Sequence, residues 1–184
     1  MINKEKIEKA VRLLLEGIGE DAARPGLEDT PDRVARMYEE ILSGYEDSAE
    51  RHLEKTFPVT DSGMIVEKDI QFYSLCEHHL LPFFGKVHIA YVPVDEVVGI
   101  SKLARTVEVF ARRLQIQEQM TGQIADAIAG NLKTKGVIVY VEAEHMCVSM
   151  RGIKKSGSKT VTVAARGCFE NDRDLRDTFF KMIC

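Results

Sequence analysis

The run Ser74-Leu75-Cys76-Glu77-His78-His79-Leu80-Leu81-Pro82 sets a thiol, a carboxylate and two imidazoles within four consecutive residues. Cys76 and His79 are spaced i, i+3, so one tight turn can bring sulfur and imidazole to a common ion. A second cluster far down the chain, His145-Met146-Cys147, offers another thiol and another imidazole. Thiolate and imidazole are the donors that suit Zn2+; structural sites use four of them and catalytic sites three. With Cys76, His79 and Cys147 as ligands, a fourth position stays open for a water whose pKa falls to about 7. His78 and His145 then stand beside the metal as acid–base groups. If His145 also ligates, the site is closed and structural. Spacing leaves both arrangements open, along with a Cys76–Cys147 disulfide or two ordinary buried cysteines.

Two basic stretches could hold an anion near that site. Ser101-Lys102-x-x-Arg105 opens an amphipathic segment, and a helix N-terminus presents free N–H groups together with positive dipole. Arg151, Lys154, Lys155 and Lys159 follow the second thiol. Together they fit a polyphosphate; the plainer alternatives are a solvated helix face and a basic turn around Gly152 and Gly157. Gln117-Glu118 sits between two helical patterns. Its carboxylate could accept two parallel N–H bonds from a guanine edge, or simply complement a helix dipole.

The elements that must position these groups follow from periodicity. Ile7, Val11, Leu14, Leu15 and Ile18 predict a helix over 4–18 that Gly17 and Gly19 end. Thr30-Pro31-Asp32 predicts a second, with Thr30 as N-cap, running to Gly44. Residues 45–63 are polar and turn-rich, and are expected to be the loosest link. Strands are expected from Ile65 to Leu75, over Lys86–Val92, over Val137–Val141, at Cys147–Met150 and at Thr160–Ala165. His88 lies on the strand face opposite Val87, Ile89 and Tyr91 and reads as a surface or interface histidine. Between the strand pairs, one helix carries Leu103, Val107, Phe110 and Leu114, and another carries Met120, Ile124, Ile128 and Leu132. A last helix carries Leu175, Phe179 and Ile183. Strand pair, two helices, strand pair argues an α+β fold with an antiparallel sheet. The expected division is an N-terminal helical extension, 1–62, and a catalytic domain, 63–184.

Composition restricts the partners. With 184 residues and a net charge of −4, the chain has one core and no general attraction to nucleic acid or to an anionic membrane. It contains no apolar run of membrane-spanning length, and its first residues lack a secretory pattern, so a cytoplasmic location is expected. Its four cysteines (76, 147, 168 and 184) are too few for a disulfide scaffold. Cys168 and Cys184 have no histidine nearby and read as packing residues.

These motifs together resemble the zinc-dependent form of the GTP cyclohydrolase I family over roughly residues 27–182. The resemblance rests on Thr30-Pro31-Asp32-Arg33-Val34, Cys76-Glu77-His78-His79-Leu80-Leu81-Pro82-Phe83 and Gly99-Ile100-Ser101-Lys102-Leu103-Ala104-Arg105. Arg112 through Glu118, His145-Met146-Cys147 and Met150-Arg151-Gly152 complete it. It implies a T-fold, an antiparallel four-stranded sheet backed by two long helices, and a homodecamer of two stacked five-membered rings with active sites between subunits. It implies that GTP is the substrate and that formate and 7,8-dihydroneopterin triphosphate are the products. By position it assigns Cys76, His79 and Cys147 to zinc and His78 and His145 to proton transfer. Ser101, Lys102, Arg105 and Arg151 are assigned to the triphosphate, and Gln117 and Glu118 to guanine. The competing readings are another T-fold enzyme acting on a purine or pterin, and a non-catalytic assembly module stabilised by zinc.

Overall fold

The computed structural model describes residues 2–184, and among these no helix is long and apolar enough to cross a membrane. Helix α1 (Lys4–Gly17) is capped by the Asn3 side chain and buries Val11 and Leu15. Helix α2 (Thr30–Ile41) packs against it. Thr30 is not its N-cap: Asp29 holds that place, and the Thr30 hydroxyl turns back to the Gly26 carbonyl. The chain then forms a 3-10 turn (Ser43–Glu46), helix α3 (Ala49–Leu53) and strand β1 (Thr56–Pro58). The stretch expected to be loosest is therefore structured, and Ala49 and Leu53 enter the main core beside Leu103 and Ile128.

Strands β2 (Ile65–Cys76) and β3 (Pro82–Pro93) form a hairpin whose turn is the Cys-His run. After a short β4 (Glu96–Val98), paired to β1, comes helix α4 (Ile100–Ala111). Leu114, expected on that helix, lies instead in β5 (Leu114–Gln115), a two-residue strand parallel to the end of β2. Helix α5 (Gln117–Asn131) and strand β6 (Thr134–His145) follow. The expected strand at Cys147–Met150 is a helical turn, α6 (Met146–Ser149). Strand β7 (Lys159–Gly167) and helices α7 (Cys168–Asn171) and α8 (Arg173–Ile183) complete the chain.

The sheet order is β5-β2-β3-β6-β7, antiparallel throughout its four long strands. Helices α4 and α5 cover one face, burying Phe72, Val87, Ile89, Val139 and Val141 beneath Val107, Met120 and Ile124. The α+β fold with an antiparallel sheet stands as the periodicity implied, and its four long strands backed by two helices stand as the resemblance implied.

The opposite face of the sheet is partly covered. Helix α8 lies over one end of it, and Phe179 packs with Ala90, Ile138 and Phe169 in a second cluster. His88 is consequently buried, with 7% of its surface exposed, and sits edge-on to the Tyr140 ring. Its surface assignment fails because a helix distant in sequence supplies the cover.

Candidate active site

The Cys-His turn is closed by backbone bonds from Leu80 N–H to the Cys76 carbonyl (2.8 Å) and from Cys76 N–H to the Leu81 carbonyl (2.9 Å). Leu80 adopts φ +54°, a left-handed conformation that costs a non-glycine residue about 1 kcal/mol or more. The turn stores that strain and in return lifts Cys76 and His79 to one side. At the same end of the sheet, His145 ends β6 directly opposite Phe83, and α6 then bends Cys147 back toward Cys76. Glu144 secures this bend by accepting from the Ser149 hydroxyl (2.6 Å) and from Gly157 N–H (3.2 Å). Those two bonds hold its carboxyl below the usual carboxylate range.

The ligand atoms of Cys76, His79 and Cys147 lie within 4.8 Å of one another. Burial, and then the neighbouring Cys76 sulfur, push the Cys147 thiol above its ordinary pKa. Two adjacent thiols resist ionising together unless a cation joins them, which is what a divalent ion does. The donor set therefore fits zinc. His145 is outside this group: its Nε2 lies 2.8 Å from Gln117 Oε1 and its ring stacks on Phe83 at 4.7 Å. The donor group thus has three members among the described residues, and all four cysteines are free.

Of the remaining assigned residues, His78 is exposed next to the group, with Nδ1 3.7 Å from Cys76 Sγ. Arg151 donates to His79 Nε2 at 2.7 Å. Glu118 is exposed on the first turn of α5, and its charge acts on His145. Burial nevertheless dominates there and holds the His145 imidazole below the ordinary histidine range. Ser101, Lys102 and Arg105 open α4, whose N-cap is Gly99. Among the described residues none of the three bonds to the Cys-His group, and Arg105 instead lines a groove with Gly44, Asp47 and His52.

The Gln117 side chain is buried, and its amide nitrogen faces the Val141 and Thr160 carbonyls and Thr162 Oγ1. Sequence reasoning also missed Phe83, Thr162 and Thr121, which position the site. Their only signal was the strand register that sets Thr162 on the helix-covered face, and that register is not legible without the structure.

The family model described as GTP cyclohydrolase I matches residues 7–184. The GTP cyclohydrolase 1 of Clostridium kluyveri is 60% identical over 182 residues, covering 99% of this chain and 98% of that protein. That of Clostridium perfringens is 57% identical, covering 100% and 99%, and that of Streptococcus pneumoniae 54% identical, covering 99% of each. Among solved structures, the apo form of an archaeosine synthase QueF-Like aligns at TM-score 0.49 and 17% identity, covering 59% of this chain and 97% of that one.

Proposed function

The chain belongs to the GTP cyclohydrolase I family, and from that premise we propose how its residues carry out the opening of GTP that begins pterin and folate biosynthesis. The observation carrying the reading is the convergence of Cys76, His79 and Cys147 beside two unligated imidazoles. These three residues would hold a zinc ion, since two thiolates and an imidazole are donors it prefers. When bound, such an ion supplies Lewis acidity and a water acidified to a pKa of about 7.

The protein's own residues do the rest. Purine C8 is a poor electrophile, so His78 delivers a proton to N7 as water adds to C8. After the imidazole ring opens, a second hydrolysis releases formate, and His145 moves protons while the ribose rearranges and the pterin ring closes. Two waters enter and one leaves, giving 7,8-dihydroneopterin triphosphate. Ser101, Lys102 and Arg105 at the α4 N-terminus, with Arg151, hold the triphosphate. The Glu118 carboxylate accepts N1–H and N2–H₂ of guanine. The working form is a homodecamer in the cytoplasm, with pockets shared between chains.

A fluorescence assay for oxidised neopterin, run beside formate and metal analysis of the same sample, tests this reading. Formate and neopterin should appear together from GTP, with zinc at one per chain. Zinc-loaded protein that releases no formate from GTP would overturn this reading and leave another T-fold enzyme or a non-catalytic assembly module.

A further inference from the structure

Gln117 has 1% of its surface exposed, yet its amide touches four polar partners. The amide nitrogen lies 3.2 Å from the Val141 carbonyl oxygen, 3.1 Å from that of Thr160 and 3.1 Å from Thr162 Oγ1. Backbone carbonyls only accept, so the NH₂ end must face them. Turning the amide over would set its oxygen against both carbonyl oxygens. Oε1 is thereby committed to His145 Nε2, 2.8 Å away. An amide oxygen takes only a donor, so the His145 proton is on Nε2, and Nδ1 of the neutral ring is an acceptor.

The hydroxyls fix the direction of the rest of the chain of bonds. Thr121 Oγ1 donates its one proton to the Gln117 carbonyl oxygen, one helical turn back, at 2.7 Å. Towards Thr162 Oγ1, also at 2.7 Å, Thr121 can then only accept. Thr162 therefore gives its proton to Thr121 and turns a lone pair to the Gln117 amide. Phe83, stacked on the His145 ring at 3° between planes, sets the remaining angle.

We propose that Gln117 is a positioning residue for His145 and makes no base contact, with Thr162 and Thr121 locking its amide so that His145 works as an Nε2–H, Nδ1-acceptor imidazole. The inference rests on the proposed function and deepens it: it names Nδ1 as the ring nitrogen of His145 that Gln117 leaves free for the reaction.

The test separates chemistry from binding. Gln117→Leu should lower kcat by about tenfold or more, as loss of orientation does. The KM for GTP and the preference for GTP over ITP should stay within about twofold, because no base contact is lost. Thr162→Val should lower kcat with the same unchanged KM, and Thr162→Ser, which keeps the hydroxyl, should restore most of it. A raised KM or a collapsed GTP/ITP ratio in Gln117→Leu would make Gln117 a guanine reader and overturn the proposal. So would a Thr162→Ser protein as impaired as Thr162→Val, which would leave Thr162 a packing residue only. Should Gln117→Leu fail to assemble, the Thr162 pair decides alone. Wild-type protein that yields no formate would sink the proposed function itself, a different outcome from an active enzyme whose variants do not split this way.

Discussion

A neutral imidazole has one ring lone pair, and in His79 the Arg151 guanidinium occupies it through Nε2. A cation bound at either ring nitrogen must displace that contact: at Nε2 it takes the lone pair directly, and at Nδ1 it forces the proton onto Nε2. A metal at His79 would therefore leave Arg151 free for the triphosphate contact proposed above. Arg151→Ala is expected to keep full zinc content and to raise the KM for GTP about tenfold or more; metal loss on this substitution would contradict the argument. Cys147→Ala, by contrast, removes one donor of three and should abolish both zinc binding and turnover. His78→Ala should keep zinc and lose ring opening, so metal analysis of the two variants checks which histidine ligates. Glu118 is exposed at the start of α5 and is the candidate for reading the base. A charge-assisted bond left unmade in a dry pocket costs about 1.5–3 kcal/mol, or roughly ten- to a hundredfold in kcat/KM. Wild type should prefer GTP to ITP by about that factor, and Glu118→Gln should lose most GTP activity while shrinking the preference. An undiminished preference in the variant would make Glu118 a helix-start carboxylate and nothing more.

Among the elements, α8 packs on Tyr140, whose ring meets the titratable His88. His88 Nδ1 accepts from Asp69 N–H at 3.3 Å, where β2 bulges and Asp69 takes φ +61°, and Lys68 Nζ beside it reaches the Met182 carbonyl at the end of α8. Burial lowers the His88 pKa; Asp69 and Glu142 pull it up, Lys86 and Lys68 push it down, and Tyr140 faces it as a neutral ring. Because the folded value lies below the unfolded one of about 6.5, the unfolded chain binds the extra proton first. Stability from this group is fully present above that pH and declines as pH falls below it. Unfolding followed between pH 8 and 5 should show this decline, and His88→Gln should flatten it; an identical slope in the variant would remove His88 from the account. This element also shows what was legible beforehand. The run of chemistry-bearing residues, the two covering helices and α8 itself were readable, because each depends on local spacing. The burial of His88, the core role of Leu53 and the helical turn at Cys147 were not, since each depends on which distant segment lies opposite. Glu144 bonding to Ser149 and Gly157 decides the turn, and no period in the sequence records that.

At the scale of the whole molecule, the sheet has unfinished edges. Among the described residues β7 pairs only with β6, and the outer side of β2 is covered only at Leu75 and Cys76 by β5. An open strand edge is a template for another chain, and strand pairing repeated around an axis gives a closed ring. Among the described residues Ser101, Lys102 and Arg105 make no bond to the Cys-His group, and Arg105 lines a different groove, so a neighbouring chain is the candidate to bring the triphosphate end of the pocket. Complementation tests this. Take Cys147→Ala, which spoils only the metal end, and Lys102→Ala, which spoils only the anion end. If each pocket draws its two ends from different chains, an equimolar mixed assembly regenerates intact pockets wherever a Lys102→Ala chain gives the metal end and a Cys147→Ala chain the anion end. Random mixing makes that about a quarter of all pockets, so about a quarter of wild-type turnover should return from two inactive parents. If one chain supplied both ends, every pocket would carry one defect and mixing would return nothing. Sedimentation at the assay concentration completes the test: the active species should be the oligomer, and a fully active monomer would refute the shared pocket.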